Sequence, residues 1–233
     1  MNHDKINIAR PLILSDNIAQ YRGRFAPSPS GFLHFGSLIA ALGSYLHAKS
    51  HQGLWLVRIE DIDPPREKSG ASAAILSTLE AYGLHWDESV LYQSQQYSLY
   101  QDVLSQLAQE KLTYYCQCTR AQIKAKGGLY QGQCRDENLT SKNNATRLCN
   151  QHGIYHYHDL IQGTYNCEKN LAKEDFILVR KDGLFAYQLA VVVDDIYQNI
   201  NHVIRGCDLL NPTARQLSFY QQLGYQAPKF GHV

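Results

Sequence analysis

Short apolar runs alternate with stretches of helical period along the first half of the chain, and a cluster of polar residues closes each run. Tyr21-Arg22-Gly23-Arg24-Phe25-Ala26 predicts a short strand that Pro27 and Pro29 must end, because neither can donate to a sheet ladder. Gly31 then permits a tight turn. Leu38, Ile39, Leu42, Tyr45 and Leu46 follow at helical spacing and predict an amphipathic helix over residues 36–50. Leu54-Trp55-Leu56-Val57-Arg58-Ile59 is nearly continuous in apolar character, as a strand covered on both faces of a parallel sheet should be. Glu60, Asp61 and Asp63 come next. Pro64 and Pro65 then open an expected helix in which Ile75, Leu76, Leu79 and Tyr82 share a face and which Gly83 ends. This βαβα order predicts an α/β fold with a right-handed parallel sheet and ligands beyond the carboxyl ends of its strands. The polar clusters at residues 24–34 and 60–66 fall at those ends.

Another helix is expected over residues 95–109, followed by a cysteine-rich stretch whose periodicity is hard to parse. Residues 176–180 read as a strand, Lys181-Asp182-Gly183 as a turn, and residues 184–193 as the second half of a hairpin or strand pair. Val203-Ile204-Arg205-Gly206 reads as the final strand of the main sheet, and Pro212 starts a helix to Leu223. The expected organisation is an extension over residues 1–20, loosely held at its start, a main domain of residues 21–112 and 187–233, and an insertion of residues 113–186.

Composition narrows this picture without redirecting it. A chain of 233 residues, 44% apolar and 18% charged, can bury one substantial core. No apolar run approaches the roughly 18 residues that span a bilayer, and the first residues lack the basic-then-apolar order of a signal peptide. A cytoplasmic protein with no membrane partner is expected. Lys plus Arg number 22 against 21 for Asp plus Glu, so charge carries no general nucleic-acid signal. Of six cysteines, Cys116, Cys118 and Cys134 cluster, which suits a metal clip with reduced thiols better than a disulfide framework. From spacing alone, three buried cysteines without a metal are an equal reading. His152, His156 and His158 are alternative ligands or histidines of a loop.

The chemistry concentrates in Arg24-Phe25-Ala26-Pro27-Ser28-Pro29-Ser30-Gly31-Phe32-Leu33-His34-Phe35-Gly36-Ser37. A glycine turn at a helix N-terminus offers unpaired N–H groups and a favourable dipole to phosphate oxygens. Taken alone, such a stretch is more often a packed turn than a phosphate site. The stretch resembles the first signature of class I aminoacyl-tRNA synthetases, usually His-Ile-Gly-His, in the form used by the glutamate group. Arg58-Ile59-Glu60-Asp61-Ile62-Asp63-Pro64-Pro65-Arg66 is similar to a second segment of that group. Tyr187 and the residues up to Asp195, with Val203-Ile204-Arg205-Gly206, are similar to a third. The resemblance spans residues 21–230 and implies a Rossmann-like nucleotide-binding domain with an inserted zinc-bearing subdomain. Within the group, the chain looks most like the short glutamyl-Q branch, which attaches glutamate to queuosine in the anticodon of tRNA(Asp). Its length, Val191 in place of a common Asn, and the Cys116, Cys118, Tyr130 and Cys134 set all favour that branch.

The resemblance implies attack of the glutamate α-carboxylate on the α-phosphorus of ATP, carried with Mg2+. It assigns His34, Gly36 and Ser37 to ATP, with His34 and Gly36 as the catalytic pair. It assigns Arg24, Phe25, Ala26, Pro27, Ser28, Glu60, Tyr187 and Arg205 to glutamate. Arg24 and Arg205 suit the side-chain carboxylate, Glu60 the ammonium, and Ser28 and Tyr187 further hydrogen bonds. Cys116, Cys118, Tyr130 and Cys134 are the implied structural Zn2+ ligands. Asp194 and Asp195 could steer the acceptor nucleoside or cap the following turn, the commoner job for Asp after a strand. Ser37 replaces the last histidine of the general signature, which the glutamate group tolerates. The family's Lys-Met-Ser-Lys-Ser signature belongs after Val233, so the expectation is a truncated chain that acts as a monomer on glutamate, ATP and tRNA(Asp) carrying queuosine. A fragment of a full glutamyl-tRNA synthetase, another nucleotidyltransferase, and a non-catalytic zinc-containing tRNA-binding module are the alternatives.

Overall fold

Strand, turn and helix recur because apolar β-formers and prolines punctuate the first half of the chain as the pattern requires. The computed structural model describes residues 5–9 and 20–233. In order come β1 (Arg22–Phe25), α1 (Phe35–Ser50), β2 (Leu54–Ile59), α2 (Ala71–Ala81), β3 (Leu91–Tyr92) and α3 (Tyr97–Gln109). Residues 113–179 carry β4 (Thr113–Cys116), α4 (Arg120–Ala125), β5 (Ala145–Leu148), β6 (His156–Asp159), β7 (Gly163–Asn166), α5 (Lys169–Ala172) and β8 (Ile177–Val179). The chain then returns through α6 (Tyr187–Tyr197), β9 (His202–Arg205), α7 (Leu210–Leu223) and β10 (Lys229–His232).

The main sheet has the order β10-β9-β1-β2-β3, with every neighbouring pair parallel. Strand order reverses between β1 and β9, so the crevice expected of such a sheet opens at their carboxyl ends. Alternation along β2 divides the core. Trp55, Val57 and Ile59 pack with Ala41, Ala48, Ile75 and Leu79 from α1 and α2. Leu56 faces the other way, into a cluster with Tyr100 and Val103 of α3, Val192 of α6 and Phe219 of α7. Arg58 shares the Leu56 side by the period-two rule, so a charge enters that half of the core. The order of the first four elements was readable because apolar period and proline position agreed there.

Several expectations change in three dimensions. Residues 187–197 are helical, not strand. Every residue from Leu189 to Ile196 is buried, so no polar face marks the helical period and the valine run imitates a strand. Pro64 and Pro65 open only a short 3-10 turn; α2 begins at Ala71 after Gly70, whose φ of 77° breaks the chain direction. Tyr82 is 66% exposed and leaves the face assigned to it. Helix α1 forms where expected but turns its small residues inward: Ala40, Ala41, Ser44 and Ala48 are buried, while Ile39, Leu42 and Leu46 are exposed. Small side chains let α1 approach Trp55, whose Nε1 donates to Ser44 Oγ at 2.8 Å. Sequence reading also overlooked β3 and β10, both at sheet edges.

Part of the N-terminal extension is not loose. Ile6 and Ile8 are 3% exposed, inside the larger core cluster, and Gln106 bridges both polar groups of Asn7. The rest of that extension, residues 1–4 and 10–19, lies outside the described residues. Residues 113–179 build an antiparallel β4-β5-β8 sheet and a β6-β7 hairpin. Leu112, Leu148, Phe176 and Leu178 join this region to the main core. No helix among the described residues is long and apolar enough to cross a membrane.

Candidate active site

The loop after β1 is tied to the end of β2 by the Glu60 N–H, which donates to the Pro27 carbonyl at 3.0 Å. Beyond it His34 caps α1, its Nδ1 accepting from the Ser37 N–H at 3.2 Å. The first turn of α1 carries no acidic residue, so the positive end of the helix dipole stays available to an anion. A Cβ on Gly36 would lie 3.2 Å from the His34 ring, which makes this a point of close approach.

A cleft of about 1240 Å³ opens over these ends. Arg24, Phe25, Ala26, Pro27, Ser28, His34, Gly36, Ser37, Glu60, Tyr187 and Arg205 all line it, so four separated stretches of sequence meet in one space. Ser28, Glu60 and Tyr187 also border a neighbouring cavity of about 310 Å³. Arg66, Lys68, Cys207 and Asp208 line the large cleft too and were not singled out by sequence. Arg66 and Lys68 follow the acidic segment closely, and that proximity was the signal available.

A buried ion network underlies the cleft. Asp195 accepts from Arg24 at 3.1 and 3.3 Å and from Arg58. Asp194, also buried, accepts from Gln93 at 2.7 Å and Tyr100 at 2.8 Å. The two aspartates therefore do not cap a turn after a strand: they lie inside α6, where Asp195 anchors the arginines of β1 and β2 and Asp194 faces Gln93 and Tyr100. Sequence missed this role because a helical 187–197 was needed to aim them inward. Burial pushes the Asp195 carboxyl up, but the Arg24 and Arg58 guanidiniums outweigh it and hold its pKa below the usual value. Burial dominates at the other two acids, taking Asp194 to about 6 and Glu60 to about 7. Arg58 Nε, at 4.0 Å, is the only cation at ion-pair distance from Glu60 among the described residues.

Arg205 differs from its neighbours. It is 4% exposed and makes no ion pair among the described residues. Its donors reach neutral groups: Nε to His232 Nε2 at 3.1 Å, and Nη2 to Thr213 Oγ1 at 2.6 Å and Gln216 Oε1 at 2.7 Å. A buried cation on a cleft wall without a counter-ion is a site for an anion.

A second cluster lies within residues 113–179. The sulfurs of Cys116, Cys118 and Cys134 are all within 4.8 Å of one another. The Tyr130 oxygen accepts from the Cys134 N–H at 2.8 Å, and the Arg147 guanidinium sits 3.7 Å from the Tyr130 ring centre. Among the described residues no histidine completes this group, so His152, His156 and His158 stand outside it. Burial, then the neighbouring thiols, push Cys118 up to about 12. Three crowded sulfurs with a phenol beside them form a donor set that a borderline-soft cation suits.

A parallel sheet with this crevice, an anion-receptive helix start and buried arginines beyond the strand ends suit a domain that binds an anionic ligand. The family model described as tRNA synthetases class I (E and Q), catalytic domain, matches residues 20–233, and the chain belongs to that family. It is 62% identical to a glutamyl-Q tRNA(Asp) synthetase from Colwellia psychrerythraea, over 98% of this chain and 76% of that one. It is 58% identical to a glutamyl-Q tRNA(Asp) synthetase from Pectobacterium atrosepticum, over 92% and 66%. A glutamate tRNA ligase from Elizabethkingia meningosepticum, solved in complex with its amino acid, aligns with a TM-score of 0.80 at 29% identity, over 92% of this chain and 49% of that one. The chain thus spans between about half and three quarters of the length of these proteins.

Proposed function

We propose that this chain is the catalytic domain of an enzyme that activates glutamate with ATP and passes it to queuosine in tRNA(Asp). The observation that carries the reading is Arg205, a buried cation without an ion pair among the described residues, in the same cleft as Glu60 and the N-terminal turn of α1, which holds no acidic residue. In the first step a glutamate α-carboxylate oxygen attacks the α-phosphorus of ATP; the bond to the β-phosphate oxygen breaks, giving glutamyl-adenylate and pyrophosphate. The acceptor nucleoside then attacks the adenylate carbonyl, and AMP leaves. No protein nucleophile is needed, so the side chains act by placement and charge. His34, Ser37 and the α1 N–H groups hold phosphate oxygens, and Gly36 leaves room for the nucleotide. Arg205 takes the glutamate side-chain carboxylate, assisted by the Arg24 nitrogen that Asp195 leaves free. Glu60 takes the ammonium, and Ser28 and Tyr187 complete the pocket.

Glutamate-dependent ATP–pyrophosphate exchange without tRNA is the test, on this chain and on one extended past Val233, followed by charging of queuosine-containing tRNA(Asp) against tRNA(Glu). Exchange with label on tRNA(Asp) is the expected result. Label at the acceptor end of tRNA(Glu), or no exchange from either chain, rejects the reading.

Glu60 makes that exchange depend on pH in a defined direction. With its pKa near 7 in the empty site, the carboxyl must lose its proton to meet an ammonium. Glutamate affinity therefore rises with pH and weakens by up to about tenfold per unit below that value. Calorimetry in buffers of different ionisation enthalpy should record proton release on binding at pH 6.5 and little at pH 8.5. The same shift acts on stability with the opposite sense. The folded protein holds this proton more tightly than the unfolded chain, so the contribution of Glu60 is full below 4.5 and is lost as pH rises through about 7. Glu60→Gln should flatten both profiles.

Cys116, Cys118, Cys134 and Tyr130 would hold a structural Zn2+, which when bound cross-links a segment that has little core of its own. One zinc per chain is the expected metal content. Cys134→Ser should lower that content and expose residues 117–144 to hydrogen exchange while α3 and α6 stay protected; full metal content in the variant would exclude the assignment.

A further inference from the structure

We propose that Asp159 and His232, outside every motif that marks the cleft, are positioning residues that aim Arg205 at the substrate carboxylate while leaving its positive charge unspent. The inference rests on the glutamate reading of the cleft. Parallel pairing of β9 and β10 sets His232 opposite Arg205 in register. Arg205 Nε donates to His232 Nε2 at 3.1 Å. A guanidinium has no lone pair to offer, so Nε2 must be the acceptor and the ring proton must sit on Nδ1. That nitrogen lies 2.5 Å from Asp159 Oδ2. The imidazole is therefore neutral and its tautomer is dictated from both sides.

Asp159 is itself fixed. Its Oδ1 accepts the backbone N–H groups of Ile161, Gln162 and His232 at 3.0, 2.9 and 3.1 Å. Asp159 and His232 are fully buried, so neither can exchange these partners for water. On the other side of the guanidinium, Thr213 donates its hydroxyl proton to the Leu209 carbonyl at 2.7 Å and so presents a lone pair to Arg205. Each group that fixes Arg205 is a neutral acceptor, and the one carboxylate in the chain of contacts stands a ring's width away. Nη1, 3.5 Å from the Tyr187 hydroxyl, remains for the cleft.

The contrast with Arg24 is informative, because Asp195 binds Arg24 directly and neutralises it. A carboxylate placed on Arg205 in that way would leave it little preference between a carboxylate ligand and its amide. The interposed imidazole supplies the same orientation without that loss. Arg205 thus becomes a discriminator between glutamate and glutamine, and the hairpin that carries Asp159 becomes part of the specificity apparatus.

The test uses the full-length protein with His232→Leu, His232→Gln and Asp159→Asn. His232→Leu should raise the glutamate KM by about tenfold to a hundredfold, the scale on which loss of a partner that orients a metal ligand acts, leave the ATP KM unchanged and narrow the preference for glutamate over glutamine. His232→Gln restores a neutral acceptor and should recover most of that loss, with Asp159→Asn between the two. Equal defects in the Leu and Gln variants, or a defect shared by ATP, would show packing alone and overturn the proposal. Nitrogen-15 spectra of the unmodified protein give a second reading that needs neither activity nor folding of a variant: a neutral, Nδ1-protonated His232 is expected, and a charged or Nε2-protonated ring overturns it. Absence of glutamate-dependent exchange in the unmodified protein, with the expected tautomer present, would fault the function and not the geometry.

Discussion

Arg205→Ala should abolish most glutamate-dependent pyrophosphate exchange while the protein stays folded. Removing one partner of a buried, hydrogen-bonded charge pair costs about 3–4 kcal/mol, or roughly a hundred- to a thousandfold in kcat/KM. The loss should fall on glutamate and spare the ATP KM, because the phosphates are assigned to His34 and the α1 N-terminus and not to Arg205. Stability should change little. The substitution leaves Thr213, Gln216 and His232 each short of a donor, but it also relieves a desolvated cation whose pKa burial already lowers. Arg205→Lys keeps the charge without the planar fork and should recover only part of the activity. An alanine variant with the glutamate KM of the parent would remove Arg205 from the site.

Asp195→Ala should have the largest effect on stability. Its carboxylate, 2% exposed, is shared by Arg24 and Arg58, and Tyr220 adds a hydrogen bond at 3.3 Å. Deleting it leaves Arg24 without its ion pair and Arg58 with only Glu60 and Asp194 at 4.0 Å, a change that costs about 3–5 kcal/mol for a broken buried pair. Urea unfolding followed by circular dichroism would measure this, and a loss under about 1 kcal/mol, the scale of an exposed pair, would contradict the network. The depressed pKa of Asp195 predicts the pH limb involved. Its contribution is present above the unfolded value of 3.8 and disappears as pH falls through the lower folded value. The acid limb of the parent's stability curve should therefore be shallower in the variant. Adding Arg58→Met to Asp195→Ala should restore part of the stability, since the two sites share one interaction.

These two residues also show how far the site was legible. Arg205 stands in a stretch that resembles a family segment, so sequence named it, but nothing local revealed that its charge lacks a partner. The valines before Asp195 imitate a strand, so the local pattern points to a turn cap. Once 187–197 is a buried helix, the same aspartate faces Arg24 and Arg58. His232 and Asp159 carried no signal at all, being 73 positions apart and joined only by the packing of the β6-β7 hairpin against β10.

What the sequence determined by itself is whatever depends on neighbours along the chain. Proline positions, apolar period and the glycine turn set β1, α1 and β2 and placed the polar clusters at strand ends. The signature residues marked the cleft, and the cysteine spacing marked the thiol cluster. The tertiary structure alone decided which face of each element is buried and which charges meet. Helix α1 turned its alanines inward because Trp55 fills the space beneath it. Helix α6 lost its visible period because it is covered on all sides. The pairing of Asp195 with two arginines, the isolation of Arg205 among neutral acceptors and the order β10-β9-β1-β2-β3 all depend on contacts between residues far apart in sequence, which local patterns cannot encode.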